Sequence, residues 1–227
     1  MLINKDTQVC ISLAKNAGNF GCTIHNAGFR CLDLNFIYKS FSVDNLEEAI
    51  LGMRAFKIRG AGITMPYKIE VLDYVDAVSE EAYLIGSANT VVNNDGILTA
   101  YNTDSFSSYE TLRKYSAHKR VFILGKGGFS KAVQFSANKL FDEVIVITRD
   151  GWQEISDIRD SLIFNCTPVE RINVHKTNDF IDCLISTESG RRLSLLQASR
   201  QFELYTNTKF PIKYIEKNFN SLMAKNQ

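Results

Sequence analysis

The sequence predicts an α/β protein, and three observations carry that expectation. The first forty residues read as strand, helix and strand; a later stretch alternates wholly apolar strands with helices; and a glycine-rich turn, "GKGG", joins one apolar strand to the helix after it. With 227 residues the chain can bury the core of one large domain or of two modest ones.

The elements follow in order. "TQVCISLA" (7–14) and "NFIYKSF" (35–41) are rich in β-branched and aromatic residues and predict strands, with "TIHNAGFRCL" as a short helix between them. "SVDNLEEAILGMRAF" predicts a helix capped by Asp44 or Asn45, with Ala49, Ile50, Met53 and Phe56 on one face. "IRGAGIT" predicts a third strand ended by Pro66, and "KIEVLDYVD" a helix. "ANTVVNN" and "GILTAYN" flank Asp95-Gly96, a hairpin turn. A polar helix is expected over 104–118. Beyond it, "RVFIL" is a continuous apolar run, as in a strand buried on both faces. "GKGGFSKAVQFSANKL" predicts a helix opened by the turn, "EVIVITRD" and "SLIFNCTP" further strands, and "FIDCLIS" a last one. Two helices close the chain, "RRLSLLQASRQFELYT" and "PIKYIEKNFNSLMAK", the second with Pro211 at its start.

Composition excludes several classes. Apolar residues at 45% and charged residues at 22% describe a folded globular chain rather than a disordered one. A net charge of +1 offers no field to gather nucleic acid or an anionic membrane, so any anion must be bound locally. The five cysteines, Cys10, Cys22, Cys31, Cys166 and Cys183, are odd in number and contain no C-x-x-C, which argues against a disulfide framework or a metal site. No apolar run reaches the roughly 18 residues of a membrane span, and the first residues lack a signal-peptide pattern. The expectation is a cytoplasmic protein with a small-molecule ligand, as monomer or homodimer.

The local anion site has one candidate. Gly125, Gly127 and Gly128 stand directly before a helix, where backbone N–H groups and the helix N-terminus can meet a pyrophosphate. The spacing is G-x-G-G-x-x-x-A rather than G-x-G-x-x-G, and an ordinary βα turn also favours glycine, so the loop alone leaves both readings open. Arg149, at the end of the next strand, suits a ribose 2′-phosphate and points to NADP(H); a solvated charge beside Asp150 is the alternative. Elsewhere, "RGAGITMPYK" places Lys68 straight after Thr-Met-Pro-Tyr, a restricted position for a merely solubilising charge.

These residues resemble the shikimate dehydrogenase family. "GAGITMPYK" is similar to its G-x-N-V-T-x-P-x-K, "IGSANT" to I-G-A-x-N-T, and "NTD" at 102–104 to its N-T-D, in the family's order. "GKGGFSKA" is similar to G-A-G-G-x-x-x-A, "TRD" to N-R-T, "NCTP" to N-x-T-P, "LLQASRQFELYT" to M-L-x-x-Q-x-x-x-Q-F-E-L-W, and "HNAGF" to a further family stretch. The resemblance runs nearly end to end. It implies two α/β domains: a substrate domain of residues 1–102 and 190–227, and a Rossmann-like NADP-binding domain of residues 103–189 with a trimmed sheet. It also implies hydride transfer in the cleft between them, reducing 3-dehydroshikimate or a related cyclic keto acid to shikimate with NADPH, a step of aromatic amino acid biosynthesis on the chorismate pathway. Lys68 and Asp104 would be the acid–base pair, with Asn89 and Gln197 bonding ring hydroxyls and Thr64 and Tyr205 in motifs lining the pocket. Gly125, Gly127, Gly128, Arg149 and Thr167 would hold the cofactor. The chemistry agrees: a ketone taking up hydride leaves an alkoxide that needs a nearby proton donor, and a lysine held by a carboxylate supplies one.

The chain also departs from the family's pattern. Where the family has S-x-S-P, whose serines hold the substrate carboxylate, "NFGC" puts Asn19, Gly21 and Cys22, leaving Asn19 as the amide donor. Gly62 replaces an asparagine. The segment between "NCTP" and "LLQASRQF" is short, with "STESGRR" as a substitute turn and the nicotinamide half of the site more affected than the adenosine half. A divergent paralogue that binds a nucleotide or shikimate-like ligand without turnover, and a dehydrogenase for an amino- or hydroxy-substituted relative of shikimate, are the competing readings. His25 and Trp152 read as structural, and Cys166 as a small buried hydrophobe.

Overall fold

A computed structural model describes residues 3–224 of the chain; Lys225, the last residue of the expected final helix, lies outside them. The chain divides into two compact units. One comprises the residues through Thr103 together with those from Ala198 onward, and the other comprises Asp104–Gln197.

The first unit opens with β1 (Gln8–Ala14), α1 (Phe20–Cys31), β2 (Phe36–Ser42), α2 (Leu46–Ala55) and β3 (Gly60–Ile63), and continues with β4 (Ala77–Val78), α3 (Glu80–Ile85), β5 (Thr90–Asn94) and β6 (Ile97–Tyr101). They form a six-stranded sheet in the order β2-β1-β3-β5-β6-β4, parallel across β2, β1 and β3 and antiparallel from β3 to β5 and from β5 to β6. Asn45 is the cap of α2, accepting from Glu48 N at 3.2 Å. Phe56 falls just past the helix and is 80% exposed, so the buried face is Leu46, Ile50 and Met53, packed on Ile11, Leu13, Ala61 and Ile63. The helix expected over "KIEVLDYVD" shrinks to a 3-10 turn, Glu70–Tyr74. No side chain caps it, Val71 and Val75 lower helix propensity, and Asp73 and Asp76 oppose the dipole at its C-terminal end. The short α3, absent from the sequence expectation, is built on local chemistry: Ser79 accepts from Ala82 N, and Gly86 ends the helix at φ +68°.

The opposite sheet face is small and polar. Registers place Cys10 and Ser12 of β1 beside Tyr38 and Ser40 of β2 and beside Gly60 and Gly62 of β3. Helix α1 covers this face and closes the edge of β2. The Asn26 amide donates to Tyr38 O and accepts from Tyr38 N, both at 2.9 Å, and Cys22 Sγ accepts from Ser40 N at 3.0 Å. Gly60 lets the ring of Tyr205 lie on bare backbone: a Cβ there would stand 2.2 and 2.3 Å from ring carbons. Since Tyr205 is 1% exposed and has no room to retreat, Gly60→Ala lowers the unfolding free energy by about 1–3 kcal/mol. Denaturant unfolding with a lower midpoint and an unchanged slope checks this.

The second unit runs through α4 (Thr103–Leu112), β7 (Arg120–Leu124), α5 (Gly128–Ala137), β8 (Glu143–Ile147), β9 (Leu162–Asn165), β10 (Asp179–Asp182) and the first half of α6 (Glu188–Thr206). Helix α6 ends in the first unit, where α7 (Ile212–Ala224) packs against α1 with Phe20 and Phe219 at 6.4 Å. The polar helix expected over 104–118 stops as an α-helix at Leu112. The four strands β10-β9-β7-β8 are all parallel, a trimmed doubly wound sheet with α5 on one face. After β10 the chain turns directly into α6 through "STES", where Thr187 Oγ1 accepts from Gly190 N at 3.1 Å and caps the helix.

Candidate functional site

In parallel α/β sheets ligands meet the carboxyl ends of the strands, because loops and helix N-termini converge there. In the first unit that edge collects most of the residues singled out in the sequence. Asn19 follows β1 and is exposed at the N-cap of α1, its carbonyl accepting from the Thr23 amide and hydroxyl. Thr64 and Lys68 follow β3. Thr64 is exposed and Lys68 half-buried, on a turn in which Tyr67 N donates to Thr64 O at 2.8 Å and Thr64 N to Leu13 O at 3.1 Å. Tyr67 anchors the turn by burying its ring and donating its hydroxyl to Val43 O at 2.6 Å. Ala88 N donates to Lys68 O at 2.7 Å, which ties the lysine to the strand carrying Asn89.

Asn89 is 1% exposed and its amide is fixed on several sides. Its Oδ1 accepts from Thr103 N at 2.7 Å, Thr103 Oγ1 at 3.1 Å and Thr90 Oγ1 at 2.9 Å, while Nδ2 donates to Thr103 Oγ1. The main chain of Asn89 accepts from Gln201 Nε2 at 3.0 Å, and the same nitrogen donates to Thr90 Oγ1. Thr103 and Gln201 are thus members of the cluster that the sequence reading did not select, although both lie inside quoted motifs. Gln197 is half-buried one turn earlier on α6, on the same face as Gln201 and within the second unit. Asp104 is 2% exposed in the first turn of α4, a position that favours an anionic side chain, and its carbonyl accepts from the Ser107 and Ser108 hydroxyls. Tyr205 is a core residue: its hydroxyl is buried without a partner among the described residues, and burial drives its pKa well above the usual phenol value.

In the second unit the glycine turn sits at the switch point, where β7 has β8 on one side and β9 on the other. Gly125 takes φ +103°, a conformation that costs side-chain-bearing residues, and a Cβ there would lie 2.8 Å from Thr167 Cγ2. Gly127 is the N-cap of α5 with open space where its Cβ would stand, and Gly128 is the first helical residue. Ser130 Oγ donates to Gly125 O at 2.6 Å and locks the turn. Thr167 comes from the loop after β9, where Asn165 Oδ1 accepts from its amide at 2.9 Å and its hydroxyl at 2.7 Å. Arg149 is exposed just past β8.

A polar amide cluster at the strand ends of one unit and a glycine turn at the switch point of the other describe a two-unit α/β protein whose second unit is Rossmann-like. Residues 20–91 match the model of the shikimate dehydrogenase substrate binding domain. A shikimate dehydrogenase-like protein of Haemophilus influenzae is 33% identical over 91% of this chain and 93% of its own length. The shikimate dehydrogenase (NADP(+)) of Caldanaerobacter subterraneus is 39% identical over 73% of this chain, which spans 62% of that relative. Among solved structures, a shikimate 5-dehydrogenase-like protein superposes with a TM-score of 0.82 at 29% identity, over 98% of this chain and 100% of the other. Shikimate 5-dehydrogenase of Thermus thermophilus, in complex with NADP(H) and shikimate, superposes with a TM-score of 0.80 over 95% of this chain and 99% of the other; at 20% identity this is a likeness of fold. The chain belongs to the shikimate dehydrogenase family.

Proposed function

We propose that the chain is an NADP(H)-dependent oxidoreductase that interconverts 3-dehydroshikimate, or a closely related cyclic keto acid, with its alcohol. The observation that carries this reading is the strand-end cluster of Lys68, Asn89, Thr103 and Gln201 in the unit whose sequence matches the substrate domain. The first unit is the substrate domain and the second the nucleotide domain in this reading. The second unit's residues fit a dinucleotide: bare backbone at Gly125, Gly127 and Gly128 admits a pyrophosphate to the N-terminus of α5, and the exposed Arg149 stands where a 2′-phosphate would be met. When bound, the nicotinamide supplies or takes up the hydride. Asn89, its carbonyl oxygen saturated by three donors, presents amide N–H to a ring hydroxyl, with Gln197 and Thr64 as further polar contacts. Lys68 gives its proton to the developing alkoxide, and Asp104 of the N-T-D motif supplies the carboxylate of the acid–base pair.

Absorbance at the NADPH band with NADP⁺ and shikimate or quinate tests the reading: growth of the band supports it, and a flat trace with every cyclic acid overturns it. Arg149→Ala raises KM for NADPH about tenfold and leaves that for NADH nearly unchanged, because it removes a charge-assisted bond to the phosphate that distinguishes the two. Steady-state kinetics with both coenzymes checks this. The trimmed four-stranded sheet favours one competing reading, a nucleotide-binding paralogue without turnover. NADPH binding with no reduction of any cyclic keto acid decides for it.

A further inference from the structure

Both glycines of β3 have a tyrosine side chain against their bare backbone, a ring at Gly60 and a hydroxyl at Gly62. At the amino end Tyr205 covers Gly60 and is sealed in the core. At the carboxyl end the occupant is Tyr38, which reaches across from the edge strand β2. Its hydroxyl oxygen would stand 2.6 Å from a Cβ on Gly62, and its ring would stand 3.0 Å from a Cβ on Gly21. One side chain therefore accounts for two departures from the family pattern that look unrelated in sequence. The ring is stacked on His25 at 4.4 Å with 13° between planes, so the hydroxyl is held in one place.

The Tyr38 hydroxyl lies among polar groups, with the Ser12 side chain and the Gly62 backbone as its hydrogen-bonding neighbours. Ser12 Oγ donates to Ser40 Oγ at 2.9 Å, and Ser40 Oγ is in turn 3.1 Å from Cys22 Sγ. Gln201 Nε2, 3.5 Å from the same Gly62 Cβ position, already donates to Asn89 O and Thr90 Oγ1. Gly21, Cys22 and Ser12 are half-buried at the rim of this face, while Tyr38 itself is 5% exposed. Burial pushes the Tyr38 phenol above its ordinary range, and it keeps its proton at neutral pH.

We infer that the Tyr38 hydroxyl anchors the carboxylate of the cyclic substrate, taking over from side chains that Gly21 and Gly62 lack. The inference rests on the proposed function and adds to it a specificity-determining residue. A neutral phenol donating to a carboxylate makes a short charge-assisted bond, and the glycines are the condition for the ring to lie where it does.

The test is calorimetric titration of the full chain with shikimate, quinate and methyl shikimate, alongside NADPH titration. Tyr38→Phe, which retains the stacked ring, weakens shikimate binding about ten- to a hundredfold. Methyl shikimate and NADPH bind as to the unsubstituted protein. Gly62→Ala, whose methyl collides with the Tyr38 hydroxyl, weakens shikimate binding in the parent chain but adds little once Tyr38 is Phe, a non-additive pair. Equal shikimate affinity in the parent and Tyr38→Phe overturns the anchor and leaves the proposed activity standing. If the parent binds NADPH but neither shikimate nor quinate, the substrate class and the anchor fall together.

Discussion

Lys68→Ala lowers kcat for shikimate oxidation by about 10²–10⁴-fold and leaves NADPH affinity unchanged. The turn that carries the lysine is held by groups that the substitution does not touch: Tyr67 N to Thr64 O, Thr64 N to Leu13 O, Ala88 N to Lys68 O, and the buried Tyr67 hydroxyl on Val43 O. The change therefore removes an ammonium and little else, and the half-buried side chain contributes modestly to packing. Lys68→Arg fails to restore the rate. A guanidinium keeps its proton across the working range, and its planar fork does not fit where a compact ammonium stood. The check is kcat and KM for the parent and both variants, with a denaturant melt of each. A loss confined to KM would make Lys68 a binding group rather than a proton donor, and an unchanged kcat would remove it from the chemistry.

How much of this was legible in the sequence depended on distance along the chain. Gly125 and Asn89 adjoin strands, and Lys68 the turn after one, whose apolar or β-branched runs announce them, so spacing and turn chemistry locate all three near strand ends. The 3-10 turn at Glu70–Tyr74 is hidden because the helical period of "KIEVLDYVD" outlasts what a missing cap and two β-branched residues let form. Thr103 and Gln201 escaped for another reason. Their role is a shared hydrogen-bond cluster on Asn89, and only the registers of β5 with β6 and the course of α6 bring residues 14 and 112 positions away to that amide. Tyr38 is the sharpest case. Gly21 and Gly62 read as simple losses, because no local window contains the tyrosine side chain that lies against both. A missing side chain is informative only once the neighbour that occupies its volume is known.

That neighbour also shapes the protein's response to acid. Below about pH 6.5 the fold loses stability, by about 3 kcal/mol when pH 4 is reached, through His25. The imidazole is fully buried between Tyr38, Phe29, Phe202 and Tyr205, and among the described residues neither ring nitrogen meets a partner in hydrogen-bonding geometry. Burial lowers its pKa from 6.5 to about 4, and the Gln201 side chain offsets only part of that cost. The sign follows from which state takes the proton. Between about 6.5 and 4 the unfolded chain is protonated at this residue and the folded chain is not, so the unfolded state gains protons as pH falls and the equilibrium moves toward it. The contribution is complete above the unfolded value and is lost progressively toward the folded one. The facing titratable groups, Tyr38, Tyr205 and Cys10, are all raised by burial and stay neutral throughout this window, so they do not mask it. Carboxylates held low by cations, Asp44 by Lys15 and Asp76 by Arg54, act at the acid end and are common to any variant compared. Denaturant unfolding at pH 7, 5.5 and 4 reads the effect, with His25→Phe as the comparison. The variant removes the proton site and keeps an aromatic ring in the stack, so the parent's steeper loss between pH 7 and 4 measures the imidazole alone. Parallel curves for the two would mean that His25 is protonated or paired in the folded state.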